Sequence, residues 1–226
     1  MASYNPIRAA RLMALYLDEI EAAGIEVEFC QEIGALQTVQ PALEDKPLSP
    51  YFHPDSYELV PDNSFWIHGT AKGRTVLVQA ARIDDTGHTP LGVLIDARFR
   101  RFFRTDEEQV TDCKAMARMQ GRCVYHGEGW VAPDFRKTNL ARTFIHLGTI
   151  AILMRWSPDY VYAFFDEQVV DSGFPSKAWF KMYEAIGRHY HGWLLPTDLI
   201  GWMDSRHLVN LVELEYRRSV QGQPPR

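Results

Sequence analysis

One stretch constrains this chain more than any other: Glu128-Gly129-Trp130-Val131-Ala132-Pro133-Asp134-Phe135-Arg136-Lys137-Thr138-Asn139-Leu140-Ala141. The extended run Cys123–Val131 stops at Pro133, and the chain passes within a few residues into the long apolar-rich segment Asn139–Trp156. That segment, terminated before Pro158, reads as a helix. Tyr160–Phe165, rich in Tyr, Val and Phe, reads as a second strand. Strand, helix and strand in this order predict a parallel βαβ unit. The exposed amides at the helix start can receive phosphate oxygens, helped by the helix dipole. Arg136 and Lys137 add positive charge there, and Ala141 is small enough to let a ligand approach closely. The same residues also describe an ordinary strand-to-helix turn with solvated basic side chains.

The rest of the chain supplies further elements. Ile7–Gly24 is an expected amphipathic helix, with Asn5 as cap, Pro6 in the first turn and Leu12, Leu15, Tyr16 and Ile20 at helical spacing. Gln31–Leu43 suggests a second, weaker helix. Residues 44–63 carry Pro47, Pro50, Pro54 and Pro61 and read as an irregular, long connection. Residues 65–69 and 76–83 flank a Lys72-Gly73-Arg74 turn, a hairpin signal. Leu91–Ala97 reads as a third strand. Thr105–Met119 reads as a helix with Thr105 and Glu108 in capping-box spacing. Lys177–Ile186, closed by Gly187, and Pro196–Met203, capped by Thr197, read as helices. Leu208–Tyr216 reads as a final strand, and residues 221–226 as a frayed tail.

Composition narrows the function. With 226 residues, 46% hydrophobic and 23% charged, the chain is expected to form one domain over residues 1–226, with ample material for a core. Lys plus Arg is 24 against 29 Asp plus Glu, a net charge of −5, which argues against a nucleic-acid binder. Cys30, Cys113 and Cys123 form no Cys-x-x-Cys pair, so neither zinc nor a disulfide framework is expected. The N-terminus lacks an uninterrupted apolar core, and the longest apolar run, around Leu147–Met154, is too short to span a bilayer. A cytoplasmic location without membrane partners follows as the expectation.

Taken with the order of elements, the central stretch resembles the GCN5-related N-acetyltransferase (GNAT) family. That family's signature, Val-x-Pro-x-Tyr/Phe-Arg overlapping Gln/Arg-x-x-Gly-x-Gly/Ala, is matched at Val131, Pro133, Phe135, Arg136 and Ala141, with Asn139 where glycine is usual. Asparagine is the non-glycine residue that best tolerates left-handed backbone, so the loop is expected to keep its shape. Tyr183-Glu184-Ala185-Ile186-Gly187 resembles the family's Tyr-x-x-x-Gly, although Ser176 and Trp179 stand where Asn and Ala are usual.

The resemblance implies an α/β fold: a mixed, mostly antiparallel central sheet flanked by helices, with a splayed strand pair at the acyl-CoA site. It implies an acyl-CoA-dependent N-acyltransferase, most simply one moving acetyl from acetyl-CoA to a primary amine by direct attack, with no metal. Trp130 and Val131 would lie along the pantetheine arm. Arg136, Lys137, Thr138, Asn139, Leu140 and Ala141 would cradle the pyrophosphate, with Ser176 contributing further along. Tyr183 would protonate the departing thiolate. A catalytically degenerate protein that keeps the fold and binds CoA or a protein partner is the alternative. The acceptor is a small-molecule or protein amine, and a homodimer is compatible with the family.

Glu128 and His126 are the candidate bases. Period two puts both, with Trp130, on one face of their strand, and a histidine titrates near neutrality. Each is equally readable as a hydrogen-bonded strand residue, and Tyr183 as a core tyrosine with a tethered hydroxyl. Tyr51, Phe52, Tyr57 and Trp66 either line an acceptor pocket or pack in the core. Arg98, Arg100, Arg101 and Arg104 either meet a CoA phosphate or an acidic partner, or form a solvated face balanced by Asp106, Glu107 and Glu108. His189 and His191 are two apart, with no third ligand placed by the sequence.

Overall fold

The computed structural model describes residues 3–39, 43, 48–107, 112–136, 138–187, 194 and 197–222. Helix α1 (Pro6–Ala22) begins where the sequence requires it. The Asn5 side chain accepts from the amides of Ile7 and Arg8 at 3.0 and 3.2 Å, and Leu12, Tyr16 and Ile20 are buried while Leu15 stays exposed. Strand β1 (Glu26–Cys30) was hidden by its glutamates. It is an edge strand, paired only with β2, and charge on such an edge discourages pairing with another chain. Helix α2 (Ile33–Val39) is shorter than its apolar signal. The proline-rich stretch carries a 3₁₀ turn (Pro50–Phe52), capped by the Ser49 hydroxyl, and its Tyr51 and Phe52 are fully buried. The hairpin of β2 (Ser64–Ala71) and β3 (Arg74–Asp85) turns at Lys72 and Gly73, which adopt φ of 52° and 72°. Glycine carries the second of these without Cβ strain.

The expected third strand is a helix, α3 (Leu91–Phe103). Leu91, Ile95 and Phe99 recur every four residues and are all buried, a helical stripe that a seven-residue reading truncated. Among the described residues of the helix expected over Thr105–Met119, the helical ones are those of α4 (Lys114–Arg118). Residues 105–107 are not helical, and the other half of the capping box, Glu108, lies outside the described residues.

Beyond the expected β4 (Arg122–Val131), α5 (Leu140–Trp156) and β5 (Tyr160–Phe165), the C-terminal reading is corrected throughout. Two short helices, α6 (Glu167–Asp171) and α7 (Phe174–Lys177), precede a strand, β6 (Met182–Ala185), where a helix was expected. Residues 199–204 form β7 (Leu199–Asp204), not a helix, because they fill the place between β5 and β6 and pair with both. Gly201 makes that place accessible, since a Cβ there would come within 2.7 Å of the Phe165 ring. The last segment is a helix, α8 (Ser205–Val220), capped by Asp204. Leu208, Leu211, Val212 and Glu215 mark its buried face at spacings of three and four.

All seven strands form one sheet in the order β1-β2-β3-β4-β5-β7-β6, antiparallel except for β4 beside β5. Alternation sends Val124, Val161 and Leu77 to the face covered by α1, α5 and α8. Tyr125, Tyr162 and Val78 go to the opposite face, under α2, α3, α4 and the proline-rich turn. The architecture is the mixed, mostly antiparallel sheet flanked by helices that the sequence implied.

Candidate functional site

The parallel pair β4–β5 is the place where the sheet opens. Its ladder consists of Cys123↔Tyr160, Val124↔Val161 and Tyr125↔Tyr162, yet β4 runs on to Val131 and β5 to Phe165. A second irregularity lies on the other side of β4. Its register with β3 moves from Ala80↔Gly127 to Val78↔Trp130, so Glu128 and Gly129 together oppose Gln79. Glu128 takes the extra step with φ of 54°. Such a bulge bends its strand, and it lies beyond Tyr125↔Tyr162, where the two strands have already parted.

Between them lies a cleft of about 770 Å³, walled by Tyr125–Val131, by Ala163–Phe165 and by Ala141, Phe144 and Ile145 of α5. That volume is in the range of small-molecule sites. Of the residues singled out in the sequence, His126, Glu128, Trp130, Val131, Arg136 and Ala141 line it.

The bulge overturns the period-two expectation. His126 points to the α5 side, where its Nε2 donates to Gln79 Oε1 at 2.7 Å and its Nδ1 faces the Thr149 hydroxyl at 3.4 Å. Glu128 lies on the other face, its carboxylate accepting the Ser49 amide at 3.1 Å. Burial lowers the His126 pKa from 6.5 to about 4, so the ring is neutral near pH 7. The Tyr125 phenol is pushed upward, first by burial and then by the charge of Glu128.

At the helix start, the Arg136 Nε donates to the Val131 carbonyl at 2.8 Å, folding the turn back on β4. Thr138 donates to the Phe135 carbonyl at 2.7 Å and accepts the Leu140 amide at 3.2 Å. Asn139 is right-handed, with φ of −71°, so the left-handed tolerance expected of it is not what the loop uses. Leu140 is buried, and Ala141 alone of the first helical residues reaches the cleft. Lys137 lies outside the described residues.

Tyr183 stands on strand β6 rather than at a helix end. Its hydroxyl donates to the Phe180 carbonyl and sits 2.9 Å from the Ser176 hydroxyl, and neither residue is in the cleft wall. Tyr51, Phe52, Tyr57 and Trp66 belong to the core. Tyr51 stacks 4.2 Å from Tyr125 and 5.4 Å from Phe164, closing the sheet beneath the cleft. In the arginine cluster, Arg100 pairs with Asp96 at 2.9 Å and Arg98 lies over the Tyr57 ring. Among the described residues no group of three His, Cys, Asp or Glu is placed to hold a metal ion. His189 and His191 are outside them. No helix among the described residues is long and apolar enough to cross a membrane.

Sequence reasoning missed several cleft residues: Ser49 from the proline-rich segment, Phe174 and Phe180 from the α6–α7 region, and Asp198 before β7. Each arrives from a distant part of the chain, and only Ser49 carried a local signal, as a Ser-Pro helix cap.

No protein-family model matches the chain, and no curated protein does. Among solved structures it is similar to FeeM, an N-acyl amino acid synthase from uncultured soil microbes, with TM-score 0.50 and 9% identity over 81% of this chain and 92% of that one. It also matches Arabidopsis thaliana NAA60 in complex with acetyl-CoA, with TM-score 0.49 and 11% identity over 80% and 98% of the two chains. A third match is Escherichia coli ElaA, with TM-score 0.46 and 11% identity over 79% and 97%. Sheet order, the splayed parallel pair and the likeness to FeeM agree on the architecture: this chain has the GNAT N-acyltransferase fold.

Proposed function

We propose that the chain is an acyl-CoA-dependent N-acyltransferase, with acetyl-CoA as the first donor to test and a small-molecule or protein amine as acceptor. The observation that carries this reading is that β4 beyond Tyr125 and β5 beyond Tyr162 are not laddered to each other and face one another across a cleft that runs to the first turn of α5. An extended thioester arm fits there as an added strand between them. The amides at the start of α5, with Arg136 beside them, face the phosphates, and Ala141 leaves them room.

In this reading Glu128 takes the proton of the incoming ammonium, because His126 is neutral and spends its Nε2 proton on Gln79. Asp166 and Asp198, also on the cleft wall, add carboxylates that suit a cationic acceptor. The amine nitrogen forms the new C–N bond, a backbone N–H at the β4 bulge stabilises the oxyanion, the C–S bond breaks, and the proton shed by nitrogen ends on the thiolate. FeeM, by its description an N-acyl amino acid synthase, agrees with this reaction class. One observation favours a second reading, in which the protein binds acyl-CoA without transferring the group: the Tyr183 hydroxyl is held by the Phe180 carbonyl.

Calorimetric titration with acetyl-CoA separates these readings from a protein that binds no CoA at all. Saturable binding by the wild type, lost in a folded Ala141→Trp variant, supports the cleft as the donor site. Turnover of the thioester with an amine panel then decides for the enzyme. Binding without turnover supports the second reading, and no binding at millimolar ligand discards both.

A further inference from the structure

The proline-rich segment does more than cover the sheet. Ser49 is 5% exposed and reaches the cleft wall, 79 positions from Glu128 in sequence. Its backbone N–H donates to the Glu128 carboxylate at 3.1 Å, while its hydroxyl accepts the Tyr51 amide at 3.1 Å. The segment cannot drift from this place, because Tyr51 and Phe52 pack their rings 4.2 and 5.7 Å from that of Tyr125. Gly127 completes the arrangement. A Cβ there would stand 2.5 Å from the Tyr125 ring, so only glycine lets that ring lie along the strand towards Ser49.

We propose that Ser49 is a positioning residue for Glu128: its amide orients the carboxylate of the bulge and favours the ionised form that accepts a proton from the amine. The reasoning is electrostatic. An amide aimed at a carboxylate in a water-poor site stabilises the charged form selectively. Other charged and titratable groups on the cleft wall are Tyr125 and His126 on β4, Arg136 after it, Asp166 after β5 and Asp198 before β7. Of these, Tyr125 is the one whose phenol the charge of Glu128 raises. This inference rests on the acyltransferase reading for its catalytic consequence, but not for its structural content.

The backbone makes a clean test available. Ser49 has φ of −62° and ψ of 143°, which proline adopts without strain. Ser49→Pro deletes the N–H as well as the hydroxyl, whereas Ser49→Ala deletes the hydroxyl and keeps the N–H. The Glu128 carboxyl carbon, identified by its loss in Glu128→Gln, is followed by ¹³C NMR against pH in the ligand-free protein. The expected result is a titration midpoint displaced to higher pH in Ser49→Pro by more than in Ser49→Ala. The acidic limb of kcat/KM moves the same way. In the wild type, the Ser49 amide resonance titrates with that midpoint and stops doing so in Glu128→Gln, a measurement that does not need the proline variant to fold. Equal midpoints in all Ser49 variants, or an amide indifferent to Glu128, overturn the proposal. NMR coupling without acyl transfer leaves the positioning intact and removes the function.

Discussion

Two buried histidines make the most specific residue-scale claim. Burial lowers His126 to about 4 and His146 to about 3 from an ordinary value of 6.5. His126 is held by Gln79, and His146 by the Lys177 carbonyl at 2.7 Å while stacked 3.9 Å from Trp179. Below pH 6.5 the unfolded chain takes up protons that the folded one refuses, so stability is present above that value and is lost as pH falls towards 4. Each histidine contributes a slope of about 1.4 kcal/mol per pH unit within the window. Urea unfolding between pH 7 and 4 is expected to show a shallower decline in His126→Gln than in wild type, and an unchanged slope contradicts the assignment. The same network explains Gly148. A Cβ there would meet the Gln79 Oε1 at 2.3 Å, and Gln79 is fastened to both His126 and the Phe144 carbonyl. Gly148→Ala is expected to cost about 1–3 kcal/mol by overpacking, read from the shift in urea midpoint at constant slope.

At the scale of elements, β6 acts through what it holds. The Glu184 carboxylate accepts the amides of Lys114 and Ala115 at 2.7 and 2.8 Å, capping α4 from 69 and 70 positions away. A five-residue helix cannot persist on propensity alone. Glu184→Ala is therefore expected to destabilise the protein by about 1 kcal/mol and to speed hydrogen exchange at residues 115–118 more than in α5. Uniform acceleration across both helices would show that the cap is not local. The β4 bulge is the other decisive element, since one added residue turns Glu128 to the face of Ser49.

For the whole molecule, the sheet separates two cores and the cleft lies where they meet, bounded by Phe144 and Ile145 on one side and Tyr125 on the other. A ligand seated there bridges both layers and stabilises only the folded state. Acetyl-CoA at a hundred times its dissociation constant is expected to add about 2.7 kcal/mol, which for a chain of this length raises the melting temperature by about 5–10 °C. Thermal unfolding with and without ligand measures this. The shift should vanish in Ala141→Trp, and a shift that survives there would place the ligand outside the cleft.

The sequence by itself determined the central strand–turn–helix–strand, the first helix with its cap and the hairpin, because each rests on local chemistry. A proline stops a strand, an asparagine caps a helix, and a glycine carries a positive φ. It also pointed to Glu128, Val131, Arg136 and Ala141, which a continuous segment delivers to the cleft. Tertiary structure alone decided the rest. Residues 182–185 and 199–204 are strands because neighbouring strands accept them, and short apolar runs do not declare their period. Residues 91–103 and 205–220 did carry helical spacing, visible once their full length is read. Which face Glu128 presents depends on a bulge whose extra residue counts only against Gln79 across the ladder. Ser49 joins the site through an amide that every residue but proline possesses, so no side-chain pattern announces it; folding alone brings it to the carboxylate.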